Sequence, residues 1–277
     1  MVMAVRRGAG HAVKRVGHAG TLDPLATGLL LICLGAATRL SDYLRDKDKR
    51  YRARVRLGEA TDTYDADGTV TQQSRCLPDR AAVEAALPPF RGRILQRPPA
   101  YSAIKQGGQK AYELARRGQT VELEARPVEI FALELADWRP PEFTLEVHCS
   151  SGTYIRSLAH DLGQRLECGA HLSALRRTAS GKLTVSEAVT LADLEAAFEA
   201  GPEAWRSYLR PPDSAIADWP ALHLSAEDTA QIVHGQPIPC RAEAGGLARA
   251  YNDAGEFFAI LRLDPTKNVW RPLKVLA

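Results

Sequence analysis

Hydrophobic and polar positions alternate from Arg50 to Leu57, with Tyr51, Ala53, Val55 and Leu57 on one side and Arg50, Arg52, Arg54 and Arg56 on the other. Period two with one apolar side predicts a strand lying half on a core. Phe143, Leu145, Val147 and Cys149 alternate in the same way and predict a second strand. Leu158, Leu162 and Leu166 then recur at four-residue spacing. They predict a helix with Ser157 as its N-cap and Gly169 beyond its end. Leu172–Arg177 (LSALRR) follows, then a turn at Ser180-Gly181. Leu191–Leu209 reads as helix interrupted at Gly201-Pro202, and the unbroken apolar run Leu29–Leu34 reads as a buried strand. Past Arg210-Pro211-Pro212-Asp213 the texture changes to short strands between turns: Leu222–Leu224, Leu247–Tyr251, Glu256–Leu263 and Leu273–Leu276. That pattern predicts a small all-β unit of about 60 residues.

Composition adds limits. The 277 residues are 45% hydrophobic and 25% charged, an ordinary globular balance that fits one or two domains. The longest apolar run, Gly28–Ala37, is well short of the ~18–20 residues of a membrane span. The start, MVMAVRRGAGH, has no apolar signal core, so a cytoplasmic address and no membrane partner are expected. Five scattered cysteines form no CxxC pair or Cys/His cluster, which argues against structural zinc or a disulfide framework. A formal charge of only +3 means that any nucleic-acid contact must use locally dense cations. Two such segments exist. Arg45–Arg56 (RDKDKRYRARVR) carries the arginine row, which fits either a solvated edge strand that resists aggregation or contact with a polyanion. Arg97–Arg126 is punctuated by Pro98-Pro99 and Gly107-Gly108 and reads as a long basic loop with a short helix over Lys110–Arg117.

The chemistry concentrates in Gly17–Gly28, GHAGTLDPLATG. Three glycines and a proline in twelve residues define a constrained loop holding one imidazole, two threonines and the carboxylate of Asp23. An Asp-Pro pair alone is most simply a turn. A rigid loop beside a buried strand is also a place to hold a reactive group still.

GHAGTLDPLATGLLLICLGAATRL resembles the signature loop of the TruB-type tRNA pseudouridine synthases, with Asp23 at the nucleophile position. DKRYRARVRLGEATDTYDADG, RPPAYSAIKQGGQKAYELARRG, CSSGTYIRSLAHDLG and CGAHLSALRR resemble the same family in order and spacing. The Leu25-Ala26 wording resembles bacterial members rather than the archaeal and eukaryotic relatives in guide-RNA particles. The resemblance implies an α+β fold: a catalytic domain over residues 1–210, with a mixed, largely antiparallel sheet, flanking helices and a basic RNA-binding insertion at about 98–126. It implies a PUA-like RNA-binding barrel over 214–277. Members usually open with an apolar strand and an Asp-Lys-Pro-x-Gly-x-Thr-Ser loop, whereas Val2–Arg7 resembles the helix after that loop, so the first strand is expected to be missing.

The implied reaction is isomerisation of uridine to pseudouridine at position 55 in the T-loop of tRNA, after the base is flipped out. Bond order is exchanged without net oxidation or hydrolysis, so no cofactor and no metal are expected. By resemblance Asp23 is the nucleophile, Arg156 its ion-pair partner, and Tyr51 the ring that stacks on uracil and serves as acid or base. Tyr154 and Leu175 become further walls of the uracil pocket, His18 lies against the flipped nucleotide, and Lys105, Arg116 and Arg117 contact phosphates. The expected partner is the T-arm of tRNA, with no obligate protein partner and a monomeric enzyme. An alternative is a non-catalytic tRNA-binding or folding module left by N-terminal truncation. An Asp-dependent glycosidase would need a second carboxylate about 5–10 Å from Asp23. Asp62, Asp65 and Asp67 are available, but DTYDADG reads as a polar turn.

Overall fold

The computed structural model describes residues 1–119, 121–241 and 246–276. Contacts divide the chain into two compact units, one of Thr21–Leu30 with Asp46–Ala188, the other of Met1–Gly20, Leu31–Arg45 and Val189–Ala277. Both mix helices and strands, so the class is α+β.

The first unit is built on one curved sheet. Its strands run in the order Leu183–Thr184, Ala170–Ser180, Lys49–Leu57, Glu142–Cys149, Arg126–Arg139, Gly92–Gln96, and every neighbouring pair on this path is antiparallel. A short strand, Ala26–Gly28, adds to Ala170–Ser180 in parallel. The arginine-bearing strand Lys49–Leu57 therefore lies inside the sheet, bonded on both sides, and the edge-strand reading is overturned. Ala53, Val55 and Leu57 are buried, as the alternation predicts. The opposite row is partly neutralised: across the strands Arg52 pairs with Glu146 at 3.5 Å and Arg54 with Glu142 at 4.0 Å, and Arg56 pairs with Glu59, three residues on, at 3.0 Å.

The helix Ile155–Arg165 covers this sheet, burying Ile155, Leu158, Ala159 and Leu162 with Phe143, Leu145, Val147 and Leu172. It starts earlier than expected, with Tyr154 at the N-cap. Ser157 lies inside the helix instead, and its hydroxyl donates to the Arg97 carbonyl at 2.7 Å. At Gly163 the helix meets the strand Ala170–Ser180 so closely that a Cβ would sit 2.1 Å from the Ala170 nitrogen. In the basic loop the hairpin Lys105–Gln106/Gln109–Lys110 precedes a helix, Ala111–Arg116.

In the second unit the chain begins with the helix Val2–Ala9, whose Gly8 packs on the ring of Phe198 from the helix Leu191–Ala200. A further helix, Pro202–Arg206, follows the break at Gly201. Strands Val16–His18 and Ile32–Leu34 form an antiparallel pair. The expected strand Leu29–Leu34 is thus shorter, because the amide and carbonyl of Leu29 are both used by Arg177. The C-terminal five-stranded sheet has the order Ala221–His223, Leu247–Tyr251, Phe257–Asp264, Val269–Val275, Ile238–Pro239. It is not all β: the helix Ala226–Val233 is capped by the Ser225 hydroxyl, which accepts from the Asp228 amide at 3.1 Å. Ile232, Ala248, Ala250, Ala259, Leu261 and Trp270 fill its core. No helix among the described residues is long and apolar enough to cross a membrane.

Candidate active site

The loop that carries Asp23 is fixed through its backbone. The Ala26 amide donates to the Asp23 carbonyl at 2.9 Å, closing a turn at Pro24-Leu25. Register then takes over: Ala26, Thr27 and Gly28 pair with Leu175, Arg176 and Arg177. The Leu29 amide donates to the Arg177 carbonyl at 2.9 Å. Gly28 is required twice over, since its φ is +94° and a Cβ would lie 2.3 Å from the Arg177 carbonyl oxygen.

The Asp23 side chain, about 30% exposed, is held side-on by Arg156. Nε donates to Oδ2 and Nη2 to Oδ1, both at 2.9 Å. This two-bond arrangement fixes the carboxylate's orientation. Arg156 is itself only 6% exposed and spends its remaining donors nearby. Nη2 donates to the Tyr101 carbonyl at 3.1 Å, and Nη1 donates to the Thr63 carbonyl at 3.3 Å and lies 3.3 Å from Asp65 Oδ2. One guanidinium therefore serves two carboxylates.

Within DTYDADG, which reads as a polar turn, Asp65 is buried, 4% exposed. Its Oδ1 accepts from the Thr63 hydroxyl at 2.5 Å and the Asp67 amide at 3.2 Å. Sequence reasoning missed it because turn composition says nothing of burial. With both oxygens engaged, Asp65 is a support for Arg156 rather than the second free carboxylate a glycosidase needs.

Tyr51 is directly opposite Arg177 in the strand register, and its hydroxyl hydrogen-bonds the Arg177 guanidinium. Burial pushes this hydroxyl above its ordinary value of 10.0, the Arg177 cation pulls it back, and the Asp23 charge pushes it up. Tyr154 stands immediately before Arg156's helix. Gln96, 2% exposed, clamps its backbone: the Tyr154 amide donates to Oε1 at 2.8 Å and Nε2 donates to the Tyr154 carbonyl at 3.0 Å. Burial raises the Tyr154 hydroxyl too, opposed by the neighbouring Ser102 hydroxyl and by the Arg156 charge. Leu175 is buried in the strand beside Ala26 and Ala53.

Asp23, Arg156, Tyr51, Tyr154 and Leu175 all belong to the first unit, as do Lys105, Arg116 and Arg117. These last three are exposed on the basic hairpin and its helix, and Arg116 lies over the Tyr112 ring at 5.5 Å. His18 belongs to the second unit, where it pairs with Ile32. Its Nδ1 is buried without a hydrogen-bond partner among the described residues.

The profile described as TruB family pseudouridylate synthase (N terminal domain) matches residues 8–155, and that of the tRNA pseudouridylate synthase B C-terminal domain matches 156–217. The tRNA pseudouridine synthase B of Pseudomonas paraeruginosa (strain DSM 24068 / PA7) is 47% identical over 249 residues, 89% of this chain and 82% of the relative. The protein of that name from Haemophilus influenzae (strain 86-028NP) is 44% identical over 266 residues, 95% of this chain and 86% of the relative. Among solved structures, an H/ACA RNP bound to a substrate RNA containing 2'-deoxyuridine matches with TM-score 0.75 at 22% identity. A Cbf5-Nop10-Gar1 complex matches with TM-score 0.75 at 24% identity, and each match covers all of this chain and 80% of the other. These two share the fold. By profile and by identity over most of its length, the chain belongs to the TruB family of pseudouridylate synthases.

Proposed function

We propose that the protein isomerises uridine to pseudouridine in tRNA, at position 55 of the T-loop, with Asp23 as nucleophile. The observation that carries this reading is the side-on Asp23–Arg156 pair, a partly exposed carboxylate oriented by two hydrogen bonds on a fixed loop. A carboxylate can attack carbon and later leave, which a reaction that breaks a C–N bond and remakes the sugar's link to carbon requires. Relatives at 44–47% identity named tRNA pseudouridine synthase B support tRNA as the substrate.

In this reading Arg156 holds the carboxylate and Tyr51 stacks on uracil and takes part in removing the C5 proton. Tyr154 and Leu175 line the base, and His18 lies against the flipped nucleotide. Lys105, Arg116 and Arg117 contact phosphates of the T-arm, positioning the RNA without reading its sequence. Residues 214–277 act as a PUA-like RNA-binding unit and residues 1–210 as the catalytic domain, and the enzyme works in the cytoplasm as a monomer without cofactor. The substrate site is tested by mapping. Unmodified tRNA is incubated with the protein, treated with carbodiimide and read by primer extension. A single stop at position 55 is expected; a stop at any other uridine would overturn the assigned position.

A further inference from the structure

Arg177 is the most deeply buried cation among the described residues of the first unit, 1% exposed within the strand Ala170–Ser180. Its place follows from alternation: Leu175 and Arg177 share the buried face and Arg176 the exposed one. Burying a guanidinium is costly unless every donor is used, so its partners indicate what it is for. Nε donates to the Leu29 carbonyl at 2.7 Å and Nη1 reaches the Thr21 carbonyl at 3.4 Å. These two carbonyls bracket Asp23. The same guanidinium hydrogen-bonds the Tyr51 hydroxyl. Its backbone completes the attachment through the Leu29 amide and the tight approach of Gly28.

We propose that Arg177 is a positioning residue for the reaction: one guanidinium ties both ends of the Asp23 loop and aims the Tyr51 hydroxyl, setting nucleophile and tyrosine in register with each other. The inference rests on the catalytic roles proposed above for Asp23 and Tyr51. Arg156 orients the carboxylate from one side through its side chain, while Arg177 sets where the loop's backbone lies. The groups that face Tyr51 are Arg177 and Cys149 on the two neighbouring strands and Asp23 on the loop. Lys49, on Tyr51's own strand, faces Arg177. Of these, only the Arg177 cation favours the ionised tyrosine by contact.

The test combines turnover with a readout that a purely structural residue would not move. Arg177→Lys keeps the charge and is the variant expected to fold; Arg177→Met removes the charge at similar length. Single-turnover tritium release from tRNA labelled at uridine C5 should fall about 10²-fold in Arg177→Lys, the scale of a small misplacement of reacting groups. Affinity for tRNA should stay within threefold. In a Tyr51→Phe background the same substitution should cost measurably less, because the two side chains act together. Independently of turnover, protein labelled with ¹³C at the tyrosine ζ carbon reports the Tyr51 titration, assigned by its absence from the Tyr51→Phe protein. The midpoint should move to higher pH in Arg177→Lys, and further in Arg177→Met if that variant folds. A rate within threefold of native, or an equal loss with and without the Tyr51 hydroxyl, would overturn the proposal. So would an unmoved Tyr51 midpoint in Arg177→Lys. If the native protein releases no tritium, the functional reading fails, and the titration alone still decides the Arg177–Tyr51 contact.

Discussion

One guanidinium satisfies Asp23 with two hydrogen bonds and Asp65 with a third contact, and this sharing sets what single substitutions should do. Asp23→Asn keeps shape and most contacts while removing the charge. It should abolish tritium release and leave tRNA affinity, measured by filter binding, within a few fold. Arg156→Met should cost roughly 3–5 kcal/mol of stability, because it strands the buried Asp65 carboxylate and the half-enclosed Asp23. Urea unfolding would show a midpoint lowered at constant slope. At this scale the sequence was legible where motif and resemblance met: it named Asp23, Arg156, Tyr51, Tyr154 and Leu175, and the structure brings these together in one unit. It missed Asp65, Gln96 and Arg177, each a polar residue whose burial depends on a partner distant in the chain. No local pattern distinguishes a solvated turn aspartate from one that closes on an arginine ninety-one positions away.

Elements were read well where apolar periodicity is long and less well where a short run has two uses. The strands Lys49–Leu57 and Glu142–Cys149 and the helix Ile155–Arg165 follow from period and capping-scale signals, though Ser157 proved to be a hydrogen-bonding residue within the helix. The apolar run Leu29–Leu34 predicts one strand, yet its first residue closes the Asp23 loop on Arg177. The helix Ala226–Val233 escaped notice among short strands, although Ser225 and the acidic first turn are ordinary helix-start signals. Close contact between helix and sheet makes a sharp prediction. Gly163→Ala must push the Ala170 backbone away, and overpacking of this kind costs about 1–3 kcal/mol, a lowered thermal midpoint in calorimetry. The same helix carries a pH effect. Burial pushes Asp161 from 3.8 to about 6, against the pull of Arg97. The native state therefore binds this proton more tightly than the unfolded chain. Its stabilising contribution is complete below about pH 4 and is lost as pH rises through about 6. Asp161→Asn should thus gain thermal stability relative to native protein between pH 4 and pH 7. A constant difference across that range would contradict the burial account.

Over the whole molecule, a charge of only +3 concentrates the question of RNA binding on local patches. The arginine row, dense in sequence, is partly spent on Glu146, Glu142 and Glu59, whereas Lys105, Arg116 and Arg117 are exposed on the basic hairpin and helix. The sequence shows the density of cations but not their cross-strand neutralisation, which depends on register. If the hairpin contacts phosphates, reversing Lys105, Arg116 and Arg117 together should flatten the plot of log affinity for tRNA against log salt. The expected loss of slope is roughly 0.7–0.9 per cation, while Arg52→Glu, already paired, should change it less. Fold class was open to sequence because the blocks that resemble the family span most of the chain, and the profiles over residues 8–217 now establish membership. The account's central claim is that this chain exchanges the C–N link of a tRNA uridine for a C–C link through Asp23. Tritium release from unmodified tRNA labelled at uridine C5 tests it most directly, with the native protein and Asp23→Asn side by side. The account predicts release of one equivalent per tRNA by the native protein and none by the variant; release by both, or by neither while tRNA still binds, would contradict it.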